Sequence, residues 1–149
     1  AEGRVTLADS LAYAVQQRPD AIIDLATLTG ACIVALGEEI SGVMSNNRKL
    51  ITKVLDASKT AGEKMWELPL ERAYKKEIKS EVADYKNIAG KYGGALTAGL
   101  LLQEFVDDVP WVHIDIAGPA FAERQINAYT GKGGTGAGVR TLIELLRSY

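Results

Sequence analysis

Few residues in this chain of 149 could do chemistry, and their types limit the reactions that are possible. There is one histidine, His113, and one cysteine, Cys32. They cannot furnish a zinc finger or the His-Glu-x-x-His helix of a metalloprotease, which need several such ligands at fixed spacing. His113 lies in the strand-like run WVHIDIAG and no Gly-x-Ser-x-Gly turn occurs, so a serine-histidine triad is not indicated. A metal ion would have to be held mainly by carboxylates.

Two short loops, Thr27–Gly30 and Ala117–Gly118, could bind a substrate because each follows a strand-like run. In α/β sheets ligands bind beyond the carboxyl ends of the strands. If the two strands are parallel, both loops open at the same edge, and the free N–H groups of a helix starting at Gly30 favour negative charge. Alternatively, Thr27 or Thr29 only caps that helix, and Gly30 and Gly118 allow tight packing. The spacing alone is compatible with both interpretations.

The glycine-rich segment GKGGTGAG, from Gly131 to Gly138, is similar to a phosphate-binding loop. A P-loop requires Gly-Lys-Ser/Thr after its spacer, whereas Ala137 follows Gly136 here. We therefore expect a structural turn, and a phosphate- or nucleotide-binding α/β domain is the weaker alternative.

Hydrophobic periodicity and turn residues predict alternating helices and strands, which favour an α/β fold. We expect one domain with a central, mostly parallel or mixed sheet flanked by helices on both faces. The predicted helices are Leu7–Gln17 with Thr6 as its cap, Ala31–Leu36, Lys49–Ser58, Glu71–Ile78, Ala95–Val106 and Val139–Leu146. The predicted strands are Ala21–Leu25, Ile40–Met44, Val82–Asn87 at an edge, and Trp111–Ile116.

The composition is that of a globular chain, with 47% hydrophobic and 24% charged residues. Lys and Arg total 17 against 19 Asp and Glu, so no basic surface for nucleic acid is expected. No apolar run approaches the roughly 20 residues of a membrane span, and no signal peptide is indicated, so no membrane partner is expected. Cys32 lies in the apolar run ACIVAL and is expected to be a buried thiol. These features predict a soluble, cytoplasmic protein.

The opening run AEGRVTLADSLAYA resembles the end of the Asn-Thr-Asp-Ala-Glu-Gly-Arg signature of the leucyl aminopeptidase family of dimetal exopeptidases. The resemblance continues, in family order, over nearly the whole chain. Its further blocks are DLATLTGACIVALG, YGGALTAGLLLQEFV, HIDIAGPAF and TGAGVRTLIELL. It implies that residues 1–149 are the C-terminal part of a metalloaminopeptidase catalytic domain, which removes N-terminal residues, often leucine, from peptides.

The resemblance also implies roles for six residues. Glu2 matches the Glu that bridges the two divalent ions, Mn²⁺ or Zn²⁺, and Arg4 matches the Arg that binds a bicarbonate thought to assist proton transfer. Leu28 and Gly30 match positions whose backbone groups hold the peptide, and Thr27 and Ala117 match positions lining the pocket for the departing residue. No metal-binding role carries over to Asp24, Asp115 or His113, which we interpret as strand-end and network residues.

One departure from the family pattern limits what this chain can do alone. The Asp of the signature, the other metal-binding carboxylates and the two active-site lysines stand upstream of Ala1 in the family. A metal centre needs several ligands meeting at fixed geometry. We therefore expect the isolated chain to be inactive and not to retain the metals. We also expect it to need the missing N-terminal part of the same protein, which in the family assembles as a hexamer. A non-enzymatic folding or oligomerisation module is the competing interpretation.

Overall fold

A computed structural model describes all residues, 1–149, as five α-helices, one 3₁₀ helix and six strands. In chain order they are α1 (Glu2–Gln16), β1 (Ile22–Ala26), α2 (Gly30–Leu36), β2 (Ser41–Ser45), α3 (Arg48–Ala61), β3 (Met65–Glu67), the 3₁₀ helix (Arg72–Ile78), α4 (Gly94–Gln103), β4 (Trp111–Asp115), β5 (Phe121–Ala122), β6 (Gly133–Gly134) and α5 (Val139–Arg147). No helix is both long and apolar enough to span a membrane.

Four strands form the central sheet in the order β1-β4-β2-β3. β1 runs parallel to β4, with Asp24 opposite His113 and Ala26 opposite Asp115. β2 is antiparallel to β4 and parallel to β3. The sheet is therefore mixed, as expected, and the parallel pair places the ends of β1 and β4 at the same edge.

Helices cover both faces of this sheet. Side chains alternate along β4, so Val112 and Ile114 face one side and Trp111 the other. On the first side they pack with α3 and α5 through residues such as Val54 and Leu145. On the second side Trp111 packs with α1 and α4 through Leu11, Leu102 and their neighbours. The predicted fold class is confirmed.

Most predicted elements are confirmed to within a few residues. The strands predicted at 21–25, 40–44 and 111–116 are β1, β2 and β4, each displaced by no more than one residue at either end. The helix predicted over 49–58 is α3, capped by the side chain of Asn47, which accepts the N–H of Leu50 at 3.0 Å. Glu71 caps the 3₁₀ helix in the same way.

Two predictions are wrong. Thr6 does not cap the first helix, because α1 begins at Glu2 and the Thr6 hydroxyl donates back to the Glu2 carbonyl at 3.2 Å. Residues 82–87 form no strand; a single bridge between Lys79 and Tyr85 is the only strand-like pairing nearby. Val82 is 96% exposed, so no neighbouring element packs against it and stabilises an extended conformation there. The short strands β3, β5 and β6 were not predicted.

Candidate active site

The two loops proposed to bind substrate lie side by side. Thr27–Gly30 follows β1 and Ala117–Gly118 follows β4, and the parallel pairing of these strands brings both loops to one edge of the sheet. Asp115, the last residue of β4, is fully buried between them.

Asp115 joins both loops through its carboxylate. Its Oδ1 accepts the N–H of Leu28 at 3.1 Å and that of Ala117 at 3.1 Å, and the N–H of Thr29 lies 3.5 Å away. Its Oδ2 accepts the hydroxyl of Thr29 at 2.7 Å. Hydrogen bonds to a buried charge are among the stronger ones in proteins, so this carboxylate fixes the loops relative to each other.

Sequence reasoning interpreted Asp115 only as a strand-end and network residue, and missed its role between the loops. The signal available was a carboxylate at the end of an apolar strand, since a buried Asp requires partners.

The alternative interpretations of the loops are partly correct. Thr29 does cap α2, because its Oγ1 accepts the N–H of Cys32 at 3.0 Å. Gly118 does serve packing: a Cβ there would lie 2.5 Å from the carbonyl oxygen of Gly37. Gly30 differs, because a Cβ built on it would meet no atom within 4 Å. Packing within the chain therefore does not explain why residue 30 is a glycine. Thr27 and Gly30 are both exposed to solvent.

Arg4 lies on the first turn of α1 and is partly buried. Its Nη1 donates to the carbonyl oxygen of Asn87 at 3.0 Å. Burial lowers the pKa of Arg4, and the negative charge of Asp115 opposes that shift. The hydrogen bond to Asn87 holds Arg4 against the segment that follows the 3₁₀ helix.

Asn87 is a second residue that the sequence did not single out. Its Nδ2 donates to the carbonyl of Ala1 at 3.0 Å, and its own carbonyl accepts from Arg4. Its Oδ1 is buried and has no partner within the chain. Asn87 therefore holds the segment that carries Glu2 and Arg4. The contact spans more than 80 residues, so no local pattern could have revealed it.

Glu2 lies in the first turn of α1 with its side chain 97% exposed. A carboxylate suits a hard divalent ion, so Glu2 has the chemistry that the resemblance requires of it. Residues 1–149 contain no group of three or more His, Cys, Asp or Glu side chains that could hold a metal ion.

A separate buried network joins β1 to β4 within the sheet, before the residues at which the two loops begin. Asp24 Oδ2 accepts the indole N–H of Trp111 at 2.6 Å, and Asp24 Oδ1 lies 2.5 Å from His113 Nδ1. All three side chains are at least nine-tenths buried. Asp24 and His113 are network residues, as expected, and they tie β1 to β4 across the sheet.

The glycine-rich segment at 131–138 leads into α5, whose first N–H groups are already occupied. The carboxylate of Glu63 accepts the N–H of Gly138 at 3.0 Å and the N–H of Thr141 at 2.8 Å. A carboxylate from the chain thus lies where a phosphate would bind a helix N-terminus. The segment is a structural turn, stabilised by a residue that sequence reasoning did not identify.

Comparison with known proteins gives consistent results. The model of the cytosol aminopeptidase family, catalytic domain, matches residues 1–143. The probable cytosol aminopeptidase of Synechococcus sp. is 54% identical over 144 residues, which is 97% of this chain and 28% of that protein. The probable cytosol aminopeptidase of Syntrophotalea carbinolica is 55% identical over 146 residues, 98% of this chain and 29% of that protein.

Solved structures agree. A mutant of tomato leucine aminopeptidase superposes with a TM-score of 0.92 at 45% identity, over 100% of this chain and 29% of that one. The bottromycin maturation enzyme BotP in complex with Mn gives 0.93 at 43% identity, over 99% and 33%. The chain spans about a third or less of the length of these relatives. From this family model and these identities we conclude that the chain belongs to the cytosol aminopeptidase family.

Proposed function

We propose that residues 1–149 supply part of the active site of a dimetal aminopeptidase that removes N-terminal residues, leucine and similar ones, from peptides. The observation that carries the proposal is the meeting of the two loops at one sheet edge, where the carboxylate of Asp115 links them. The names of the cytosol aminopeptidase relatives support a cytoplasmic location.

The loops would hold the peptide. The exposed backbone at Gly30 leaves room for a main chain to approach, and Leu28 is fixed by its hydrogen bond to Asp115. The small side chains of Thr27 and Ala117 leave space for an aliphatic group beside them. This part of the site would therefore orient the terminal residue and select its side chain.

Glu2 would be one carboxylate ligand of the metal centre and Arg4 the anion-binding residue. When bound, two divalent ions supply an activated water and stabilise the developing oxyanion. The Mn complex of BotP supports manganese as one such ion. The forked guanidinium of Arg4 suits a planar anion such as bicarbonate, which Arg4 would hold.

The chain alone would be inactive, because Glu2 is its one proposed metal ligand and no group of three or more His, Cys, Asp or Glu side chains that could hold a metal ion occurs in residues 1–149. Upstream residues of a longer protein would complete the site. We also propose that the complete protein is a homo-oligomer, a hexamer as in the family.

The test is a paired assay with leucine p-nitroanilide. The full-length protein that carries this sequence should release p-nitroaniline, lose activity with a chelator and regain it with Mn²⁺ or Zn²⁺. Chain 1–149 alone should show no such turnover. Full-length protein without chelator-sensitive turnover would overturn the proposed activity, and chelator-sensitive turnover by chain 1–149 would overturn the proposal that its site is incomplete.

A further inference from the structure

We propose that Asp115 is a positioning residue that sets the substrate selectivity of this site by holding the loop Thr27–Gly30 against the loop Ala117–Gly118. The inference rests on the proposed function, because it assumes that these loops contact the substrate.

The first argument is the direction of the Asp115 carboxylate. Both of its oxygens are directed at the loops: Oδ1 accepts from Leu28 and Ala117, and Oδ2 accepts from Thr29. Asp115 is fully buried, so water does not replace these partners when one is lost. A carboxylate engaged in this way is a structural clamp for the loops and has no oxygen left free for a metal ion.

The second argument is that Asp115 binds at or next to the two residues proposed to line the pocket, Thr27 and Ala117. Leu28 directly follows Thr27, and Ala117 is itself held through its N–H. One carboxylate oxygen therefore fixes the distance between the two positions proposed to line the pocket. A change of even one ångström there alters the fit of a branched side chain more than that of a methyl group.

The third argument is that Thr29 connects Asp115 to the first turn of α2. Its hydroxyl donates to Asp115 and accepts from Cys32, so its single proton is committed. Removing that hydroxyl leaves a carboxylate lone pair and the Cys32 N–H without partners in a buried place. Gly30, between Thr29 and the body of α2, is then free to move.

The experiment uses the full-length protein with four variants. Asp115→Asn keeps the size of the side chain but puts an N–H₂ group where an acceptor is needed. Thr29→Val removes the hydroxyl at constant shape, and Thr29→Ser keeps it. Asp24→Asn is the matched control: it alters an equally buried carboxylate on the neighbouring strand, whose partners are Trp111 and His113 rather than the loops.

For each variant, kcat and KM are measured with leucyl and alanyl p-nitroanilides, beside Tm and metal content. The ratio of the two kcat/KM values does not depend on the fraction of folded enzyme, so it separates positioning from loss of structure. We expect Asp115→Asn to raise KM for leucyl substrate by about tenfold and to lower the leucyl-to-alanyl ratio by a similar factor. Thr29→Val should change the leucyl KM and the leucyl-to-alanyl ratio in the same directions as Asp115→Asn does. Thr29→Ser should keep both near their wild-type values. Asp24→Asn should lower Tm and leave the ratio unchanged.

The outcomes separate the two proposals. An active wild type with an unchanged ratio in Asp115→Asn and Thr29→Val overturns the role of Asp115 and leaves the proposed function standing. Wild type without aminopeptidase turnover overturns the proposed function. If Asp115→Asn does not fold, the Thr29 pair decides: a ratio that falls in Val and recovers in Ser supports the inference, and equal ratios in both contradict it. Faster amide hydrogen exchange at residues 27–30 and 116–118 in Thr29→Val, measured without substrate, is the supporting readout that does not depend on activity.

Discussion

Glu63 and Thr141 are joined by two hydrogen bonds to one carboxylate oxygen: Glu63 Oε2 accepts the main-chain N–H of Thr141 at 2.8 Å and its hydroxyl at 2.6 Å. Glu63 directly follows Gly62, the residue that ends α3, and Thr141 lies in the first turn of α5. The contact therefore fastens the end of one helix to the start of another. It also explains why α5 needs no capping side chain of its own.

Removing this contact should cost stability. Glu63→Ala leaves two buried N–H groups and a hydroxyl without their acceptor, which we expect to cost about 2 kcal/mol and lower the Tm of the full-length protein by several degrees. Differential scanning calorimetry measures the change. The control is Asp56→Asn on the same helix, where the partner Lys59 is exposed and the expected change is below about 0.5 kcal/mol. Equal Tm changes in both variants would show that Glu63 does not hold α5.

Ala117→Phe tests the proposed pocket. The larger side chain would fill space meant for a branched aliphatic group, so kcat/KM should fall more for leucyl than for alanyl p-nitroanilide, by about 1 to 3 kcal/mol in selectivity. Ala61→Phe, at the end of α3 and also half-buried, is the control and should leave the selectivity unchanged. Equal losses with both substrates in Ala117→Phe would indicate general misfolding instead of a pocket.

Cys32 should be inert while the protein is folded. Burial, together with the charge of Asp115, raises the pKa of the Cys32 thiol to about 11. A raised thiol pKa favours the neutral form, so the reactive thiolate is scarce at pH 8 and becomes abundant only as the pH approaches 11. Iodoacetamide at pH 8 should modify the Cys32 peptide only after unfolding, as measured by mass spectrometry. An introduced Ser10→Cys, on the exposed side of α1, should react at once. Rapid native labelling of Cys32 would contradict this account.

Chain 1–149 alone should self-associate. Large apolar side chains are exposed, among them Val34 at 90% and Tyr92 at 81%, and β1 has a partner strand on one side only. Exposed apolar surface and an unpaired strand edge both favour association. Sedimentation velocity at micromolar concentration should show species larger than the 16.0 kDa monomer. A clean monomer that binds no apolar dye would show that this part of the protein is self-sufficient.

The sequence predicted the fold where local patterns decide it. Apolar runs located β1, β2 and β4, and the helical spacing of apolar residues located α3, because both patterns are local. The failures have non-local causes. Residues 82–87 include two strand-forming residues, Val82 and Tyr85, but have no partner strand. The clamp at Asp115 and the cap at Glu63 join residues more than 70 positions apart, and no periodicity within a segment encodes such contacts.

The resemblance to the family indicated candidate site residues, and the structure gives the physical reason for the arrangement of the two loops among them. Thr27–Gly30 and Ala117 come together because β1 and β4 are parallel and because Asp115 binds both loops. Asn87 could not have been predicted, since its contacts are with the first residues of the chain.

The most direct test of the central claim, that this chain contributes a metal ligand through Glu2, is the metal content of the full-length protein and of its Glu2→Ala and Arg4→Ala variants, measured by elemental analysis beside kcat. Losing Glu2 would remove a proposed ligand of the metal ions, whereas losing Arg4 would remove only the proposed anion-binding group. Glu2→Ala should therefore lose both metal and turnover, and Arg4→Ala should keep its metal with a partial loss of kcat. Metal occupancy in Glu2→Ala equal to that of wild type would contradict the assignment of Glu2.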